Sequence, residues 1–172
     1  MGYTEGVTFL IDGYNLMFAV GLASRGTPAP EFERARSRFL DWLADGAAGR
    51  GAVLRVVFDA LHAPAPSLEA VHRGVRVRFA FQQTADDVIE ELVAVEQKPA
   101  AVTVVSNDGR VREAGRRAGC GVASCEEFTD WLIESGTPVA DAPGSPDGDK
   151  PEPTADETNE LLRVFSKPKP KR

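Results

Sequence analysis

The chain has 172 residues, of which 42% are hydrophobic and 27% are charged, and its formal net charge is -6. This length supports one well-packed domain and is too short for two large ones. The longest apolar run is far shorter than a membrane span, the N-terminus lacks the features of a signal peptide, and two cysteines are too few for a disulfide framework. We therefore expect a cytoplasmic protein without a membrane segment, in which Cys120 and Cys125 remain thiols.

The first half of the chain contains two apolar runs of the kind found in buried strands. Residues 7–11 (VTFLI) form the first run, which stops at Asp12 and a glycine that predicts a turn. Residues 31–48 place apolar side chains at helical spacing after a proline, which predicts a helix with one buried face. Residues 53–58 form the second run, and it ends at Asp59 before a proline-rich loop.

The second half continues the alternation of strands and helices. Residues 75–81 (VRVRFAF) alternate strongly, which predicts a third strand with one solvated face at the edge of the sheet. A helix at 85–95 and a fourth strand at 101–105 follow. The remaining predicted elements are a basic helix at 111–118, a strand at 121–123 and a helix at 126–134. Strands separated by helices predict an α/β three-layer sandwich with a central parallel sheet.

The composition changes after residue 135. Seven of the 12 prolines lie beyond this position, together with many Asp, Gly and Lys residues. We interpret residues 1–135 as the folded domain and 136–172 as a Pro/Asp-rich flexible tail. Within the tail, residues 156–166 carry apolar side chains at helical spacing, and we expect that a short helix can form there.

Three predicted strands end in an acidic residue. Asp12, Asp59 and Asp108 each follow an apolar strand directly or within a few residues. In open parallel sheets, ligands bind outside the carboxyl ends of the strands, where the strand order reverses. If the first and fourth strands are neighbours there, Asp12 and Asp108 face each other across one crevice. Asp59 is the weakest member, because it could serve only the loop that follows it.

Further polar side chains are expected at the same crevice. Asp86 and Asp87 open the helix at 85–95, and Asn15 lies one short turn after Asp12. Asn15 could act either as a neutral oxygen ligand or as a hydrogen-bond donor to substrate. Mg²⁺ and Mn²⁺ prefer hard oxygen ligands, and a cluster of carboxylates repels itself unless a cation is bound. The pattern therefore predicts a divalent metal site at this edge of the sheet.

These acids also have simpler explanations, which are an ordinary turn for Asp12 and helix capping for those that precede or open a helix. Thr84 followed by Asp87 fits an N-terminal capping box, and Ser106, Asn107 or Asp108 could cap the next helix. Acids near a helix N-terminus are also favoured by the helix dipole alone. Capping does not predict that all these acids fall at the same edge of one sheet, so the joint arrangement favours a functional site.

Four motifs together resemble a known family. They are IDGYNL at 11–16, VFDA at 57–60, TADDVIE at 84–90 and VVSNDGRVREAG at 104–115. In this order, over roughly residues 5–135, they resemble the YacP-like branch of the NYN domain family, which comprises metal-dependent ribonucleases of PIN-like fold. The resemblance implies a catalytic set and bound Mg²⁺ or Mn²⁺. That set is Asp12, Asn15, Asp86, Asp87 and Asp108, with the four aspartates as metal ligands.

The resemblance also implies an endoribonuclease that acts on RNA, and some members of this branch look like ribosome-associated enzymes that cut mRNA. We expect Arg78, Arg110 and Asn107 to contact the substrate, because arginine groups flank the predicted crevice. The acidic balance argues against a nucleic-acid partner, since phosphate binding favours basic surfaces. The main alternative is a non-catalytic PIN-like module that binds RNA or the ribosome. A DNA substrate and the oligomeric state stay open.

Overall fold

The centre of the protein is a six-stranded β-sheet. The computed structural model describes residues 6–59 and 69–135, so the predicted tail at 136–172 and its helix at 156–166 lie outside the described residues. The strands are β1 (Thr8–Asp12), β2 (Val53–Asp59), β3 (Ala70–His72), β4 (Val75–Ala80), β5 (Val102–Val105) and β6 (Gly121–Ala123). The helices are α1 (Gly13–Ala19), α2 (Ala29–Ala47), α3 (Ala85–Ala94), α4 (Gly109–Ala118) and α5 (Cys125–Ser135).

Helices cover both faces of the sheet. On β1, Phe9 and Ile11 point into a core that also contains buried side chains of α1, α2 and α5. Leu10 points to the opposite face, where it joins a core formed with α3 and α4. This alternation follows from the two-residue period of a strand, and apolar residues on both sides of β1 require cover on both faces. The predicted α/β three-layer sandwich is therefore confirmed. Among the described residues, no helix is long and apolar enough to cross a membrane.

The strand order reverses at β1, because β2 and β4 follow on one side of it and β5 and β6 on the other. The order is β3-β4-β2-β1-β5-β6, and β1 pairs in parallel with both β2 and β5. Thr8 is opposite Val53 on one side and Val102 on the other. The predicted neighbourhood of the first and fourth strands is thus confirmed, and a crevice forms at their carboxyl ends.

The predicted edge position of the strand at 75–81 is wrong. β4 pairs in parallel with β2 on one side and antiparallel with the short strand β3 on the other, so the sheet is mixed and β3 lies at its edge. Arg73 and Gly74 both have positive φ, at 48° and 88°, and they form the two-residue hairpin loop between these strands. The predicted solvated face is present, because Arg76 and Arg78 are exposed whereas Val75 and Val77 are buried.

The predicted turn after Asp12 is a helix, α1, which packs closely on the sheet. Its first residue, Gly13, is buried against β2. A Cβ atom added there would collide with the ring of Phe58 and would lie 2.8 Å from Val56 Cγ1. Phe58 is fully buried and has no space to move. A glycine therefore allows α1 to start directly at the end of β1.

We expect the Gly13→Ala substitution to lower the free energy of unfolding by about 1–3 kcal/mol, because the added methyl group overpacks the interface of α1 with β2. Urea unfolding curves measure this loss, provided that the free energy of unfolding falls with urea concentration at the same slope in the variant and the wild type. Gly109→Ala is the matched control, since Gly109 is also the first residue of a helix but has open space around the new Cβ. Equal stability of the two variants would show that α1 can shift away from the sheet without cost.

Candidate functional site

A cleft of about 580 Å³ opens at the carboxyl end of the sheet, beside α1 and the start of α3. Five polar side chains that the sequence singles out contribute to its lining, and this part of the lining is called the acidic side below. They are Asp12, Asn15, Asp59, Asp86 and Asp108. Strands β1 and β2 end at two of these acids, α3 carries a third in its first turn, and the fourth caps α4. The fold thus brings together carboxylates from four separate segments of the chain.

Asp12 is the most buried acid of the cleft, with only 6% of its surface exposed. Burial, together with the negative charges of Asp86 and Asp108, raises the pKa of Asp12 to about 7. The Asn15 backbone N–H and the Ser106 hydroxyl oppose this rise. A buried carboxylate next to other carboxylates is costly to ionise unless a cation is close. Asp12 therefore marks the place in the cleft where positive charge is most strongly needed.

Ser106 connects the two acids that follow β1 and β5. Its hydroxyl group donates to Asp12 Oδ2 at 3.4 Å and accepts from the backbone N–H of Asp108 at 3.0 Å. Ser106 is fully buried, so this arrangement is held within the fold. Sequence reasoning considered Ser106 only as a helix cap. Its position between two acidic residues gives it a second function, which is to fix the orientation of the Asp12 carboxylate.

Asp108 is both a helix cap and a cleft residue. Its Oδ1 atom accepts from the backbone N–H groups of Arg110 and Val111, at 2.8 and 3.4 Å, and so caps α4. Its Oδ2 atom takes no part in these bonds. The capping explanation and the functional explanation are therefore compatible, because one carboxylate has two oxygens and the cap needs only one.

Asp86 is a partly buried acid of the cleft. It lines the cleft and makes no hydrogen bond or ion pair with any other residue in the described ranges. Its pKa is raised by partial burial and then by the charge of Asp108, whereas Arg110 opposes the rise. An unpaired carboxylate beside two others provides an oxygen ligand that is free to bind a cation.

Asp87 does not line the cleft. Its Oδ2 atom accepts from the backbone N–H of Thr84 at 3.2 Å, and the Thr84 hydroxyl accepts from the Asp87 N–H, which completes a capping box at α3. Its Oδ1 atom accepts from Arg110 at 2.8 Å. These bonds to Thr84 and Arg110 lower the pKa of Asp87. Each Asp87 oxygen thus already accepts one hydrogen bond from the protein, unlike the oxygens of Asp86, and metal binding by Asp87 stays a prediction.

Asn15 is held in one orientation by two donors. Its Oδ1 atom accepts from the backbone N–H of Asn107 at 2.8 Å and from the Cys125 thiol at 3.2 Å. A backbone N–H can only donate, so the amide atom facing it must be the oxygen. Burial and the charge of Glu126 raise the pKa of Cys125 to about 12, which keeps this thiol protonated and able to donate. The Nδ2 group of Asn15 is therefore the part of the side chain that can donate a hydrogen bond to a ligand in the cleft.

The three residues predicted to contact substrate lie outside the described lining of the cleft. Arg78 is exposed on β4, two residues before the end of the strand. Arg110 is paired with Asp87 and, through Nε at 2.6 Å, with Glu90. Asn107 accepts from the Cys125 N–H at 2.9 Å and so secures the start of α5. The contacts of Arg110 and Asn107 are thus with other protein groups, and substrate contact by all three residues stays a prediction.

Sequence reasoning missed a second part of the cleft lining, which is aromatic and is called the aromatic side below. Tyr14, Phe18 and Phe32 line it, together with Ser24, Arg25 and Thr27 of the loop between α1 and α2. The signal that could have found it is the four-residue spacing of Tyr14 and Phe18, which places both rings on one side of a helix. Because α1 was not among the predicted elements, this spacing was not recognised as helical.

The acidic side of the cleft fits a hydrated divalent cation. The described ranges contain no ready-made group of three or more His, Cys, Asp or Glu side chains arranged to hold a metal ion. Mg²⁺ often keeps several water ligands and binds the protein through only one or two carboxylates, so such a group is not required. Burial first and the neighbouring carboxylates second raise the pKa values of Asp12 and Asp86, and a cation bound at these oxygens would oppose both effects. This donor set suits Mg²⁺ or Mn²⁺ better than a softer metal.

The fold and the position of its acidic cleft define the class of the protein as a PIN-like α/β domain of the nuclease type. The family model for the YacP-like NYN domain matches residues 9–160, and the chain belongs to this family. The match extends beyond the predicted domain boundary at residue 135, which stays a prediction.

Solved structures agree with this assignment. The crystal structure of Rae1 (YacP) from Bacillus subtilis is 25% identical, with a TM-score of 0.61, and the match covers 74% of each chain. A single-substitution variant of the same protein has a TM-score of 0.62 at 25% identity, with 75% of this chain and 76% of that chain covered. Among curated proteins, none matches the chain.

Proposed function

We propose that the protein is a metal-dependent endoribonuclease that hydrolyses phosphodiester bonds of RNA. The observation that carries this proposal is the cleft, in which Asp12, Asp86 and Asp108 from separate segments face one open space. Membership of the NYN family supports the reaction class. The resemblance to ribosome-associated members supports mRNA on the ribosome as the substrate and the cytosol as the compartment.

Each residue of the acidic side has a distinct task in this proposal. Asp86 and Asp108 provide partly exposed oxygens for Mg²⁺ or Mn²⁺, and Asp12 provides a buried one that Ser106 orients. When bound, the metal polarises the phosphate and lowers the pKa of a water molecule. Asn15 donates from Nδ2 to a phosphate oxygen or to the attacking water. Asp87 acts indirectly in this proposal, because it caps α3 and holds Arg110 beside the cleft.

A cleavage assay with labelled RNA tests the function directly. The purified protein is incubated with a circular single-stranded RNA and with DNA of the same sequence, in Mg²⁺, Mn²⁺ or chelator. We expect the RNA circle to be opened in either metal and to stay intact in chelator. Opening of a circle requires an internal cut, so this substrate separates endonucleases from exonucleases. RNA binding without cleavage in both metals would instead support the non-catalytic module, and equal cutting of DNA would remove the assignment to RNA.

A further inference from the structure

The aromatic side of the cleft is built as a series of ring contacts that leads outward from the core. Fully buried Phe58 contacts Tyr14 at a centroid distance of 5.0 Å, and Phe32 meets Tyr14 edge-on at 4.8 Å. Phe18 is the outermost ring, stacked on Tyr14 at 6.3 Å with an angle of 21° between the planes. Its exposed fraction is 37%, although it lines the cleft beside the acids. A fixed aromatic ring is therefore presented to the solvent inside the cleft.

The loop next to this ring supplies polar groups and a positive charge. The Ser24 N–H donates to Thr27 Oγ1 at 3.0 Å, and the Thr27 N–H donates to the Ser24 carbonyl at 3.1 Å, so the loop is held as a turn. Arg25 lies between them, is exposed, and makes no ion pair with the other described residues. Arg25 is thus a positive charge in the lining of a cleft that also contains four aspartates.

From this arrangement we infer that Phe18 and Tyr14 form a base-stacking subsite, which holds an unpaired nucleobase next to the phosphate at the acidic side. The inference rests on the proposed function and names its substrate class, which is single-stranded RNA. Aromatic side chains stack on any base, and Arg25 can contact the adjoining phosphate. A base inside a duplex cannot reach such a ring, because it is stacked and paired. The acidic net charge of the protein is then less of an obstacle, since stacking provides affinity that does not depend on charge.

The test measures the stacking and the reaction separately in the full-length protein. A single-stranded RNA with one 2-aminopurine is titrated in chelator, where stacking on an aromatic ring quenches its fluorescence, and kcat and KM are measured in Mn²⁺. We expect Phe18→Ala to abolish the quenching and to weaken RNA binding by about five- to a hundredfold. Phe18→Trp should restore both. Arg25→Gln should weaken binding of all RNA sequences alike and reduce its dependence on salt.

Phe81→Ala is the matched control, because Phe81 is an exposed phenylalanine, at 50%, outside the described lining of the cleft. This variant should bind and cut like the wild type. RNA cleavage with an unchanged KM and unchanged quenching in Phe18→Ala would overturn the subsite alone. Quenching that depends on Phe18 without any cleavage would overturn the proposed reaction alone. Equal quenching with a blunt RNA duplex would overturn the restriction to single strands.

Discussion

The Asp12→Asn variant is expected to lose RNA cleavage by roughly a thousandfold or more while its metal-free fold becomes more stable. Asparagine keeps the shape of the side chain and can still accept from the Ser106 hydroxyl at the buried position. It lacks the negative charge that attracts a hard cation. It also removes a buried anion that faces the negative charges of Asp86 and Asp108. Activity and stability should therefore change in opposite directions.

The predicted gain in stability depends on pH. The pKa of Asp12 is about 7 in the fold against an ordinary value of 3.8, so the folded protein binds a proton that the unfolded chain has released. The contribution of Asp12 to the stability of the wild type should therefore fall as the pH rises from about 4 to about 7, by roughly 4 kcal/mol at most. Thermal melts in chelator across this range should show a smaller decline for Asp12→Asn, which has no proton to lose.

Two further variants separate this mechanism from helix capping. Asp108→Asn should also lose cleavage but keep its fold, because asparagine caps a helix as well as aspartate does. Asp130→Asn is the control, since Asp130 is exposed on α5 and away from the cleft. It should leave both activity and melting unchanged. Full cleavage by both Asp12→Asn and Asp108→Asn would show that these acids serve only turns and caps.

The second large effect is expected at Asn15, where Asn15→Asp should reduce kcat by about a hundredfold. The two donors on Oδ1, from Asn107 and Cys125, can be kept by one carboxylate oxygen, so the variant should still fold. The other oxygen replaces the Nδ2 donor, and it repels a phosphate oxygen where the amide would donate. Rates in Mn²⁺, together with melting temperatures, measure this change.

The direction of the Asn15 result separates the two functions that the sequence leaves open. Asn15→Ala removes the donor without adding charge and should show a loss of similar size. If Asn15 bound the metal through its oxygen, aspartate would be the stronger ligand. Metal affinity and activity would then be kept or increased in Asn15→Asp and lost in Asn15→Ala.

The fold was largely predictable because its strands are strongly apolar and bounded by acids. β1 and β5 are buried on both faces, and such runs are legible in a sequence without knowledge of their neighbours. β3 was not predictable, because it has three residues and no buried side chain in the described pattern. α1 was missed because it has only seven residues and begins with a glycine, and an Asp-Gly pair in a sequence indicates a turn.

The location of the acids in one cleft was easier to predict from the sequence than the contacts of each acid. Acids at strand ends share one edge for topological reasons, so their placement follows once the strand order is known. The separation of Asp86 from Asp87 does not follow, because it depends on the position of Arg110, a residue from another helix. The aromatic side depends on how α2 brings Phe32 to Tyr14, which is a matter of packing between distant segments.

The hydrogen bond between Ser106 and Asp12 joins residues 94 positions apart, and this separation has a consequence during synthesis. Contacts between distant segments form late, because the entropy of closing a long loop must be offset first. β1 leaves the ribosome well before β5 exists, so the nascent chain carries Asp12 without its neighbours. The proposed nuclease therefore has no complete cutting centre until the segment that carries Ser106 and Asp108 has been translated.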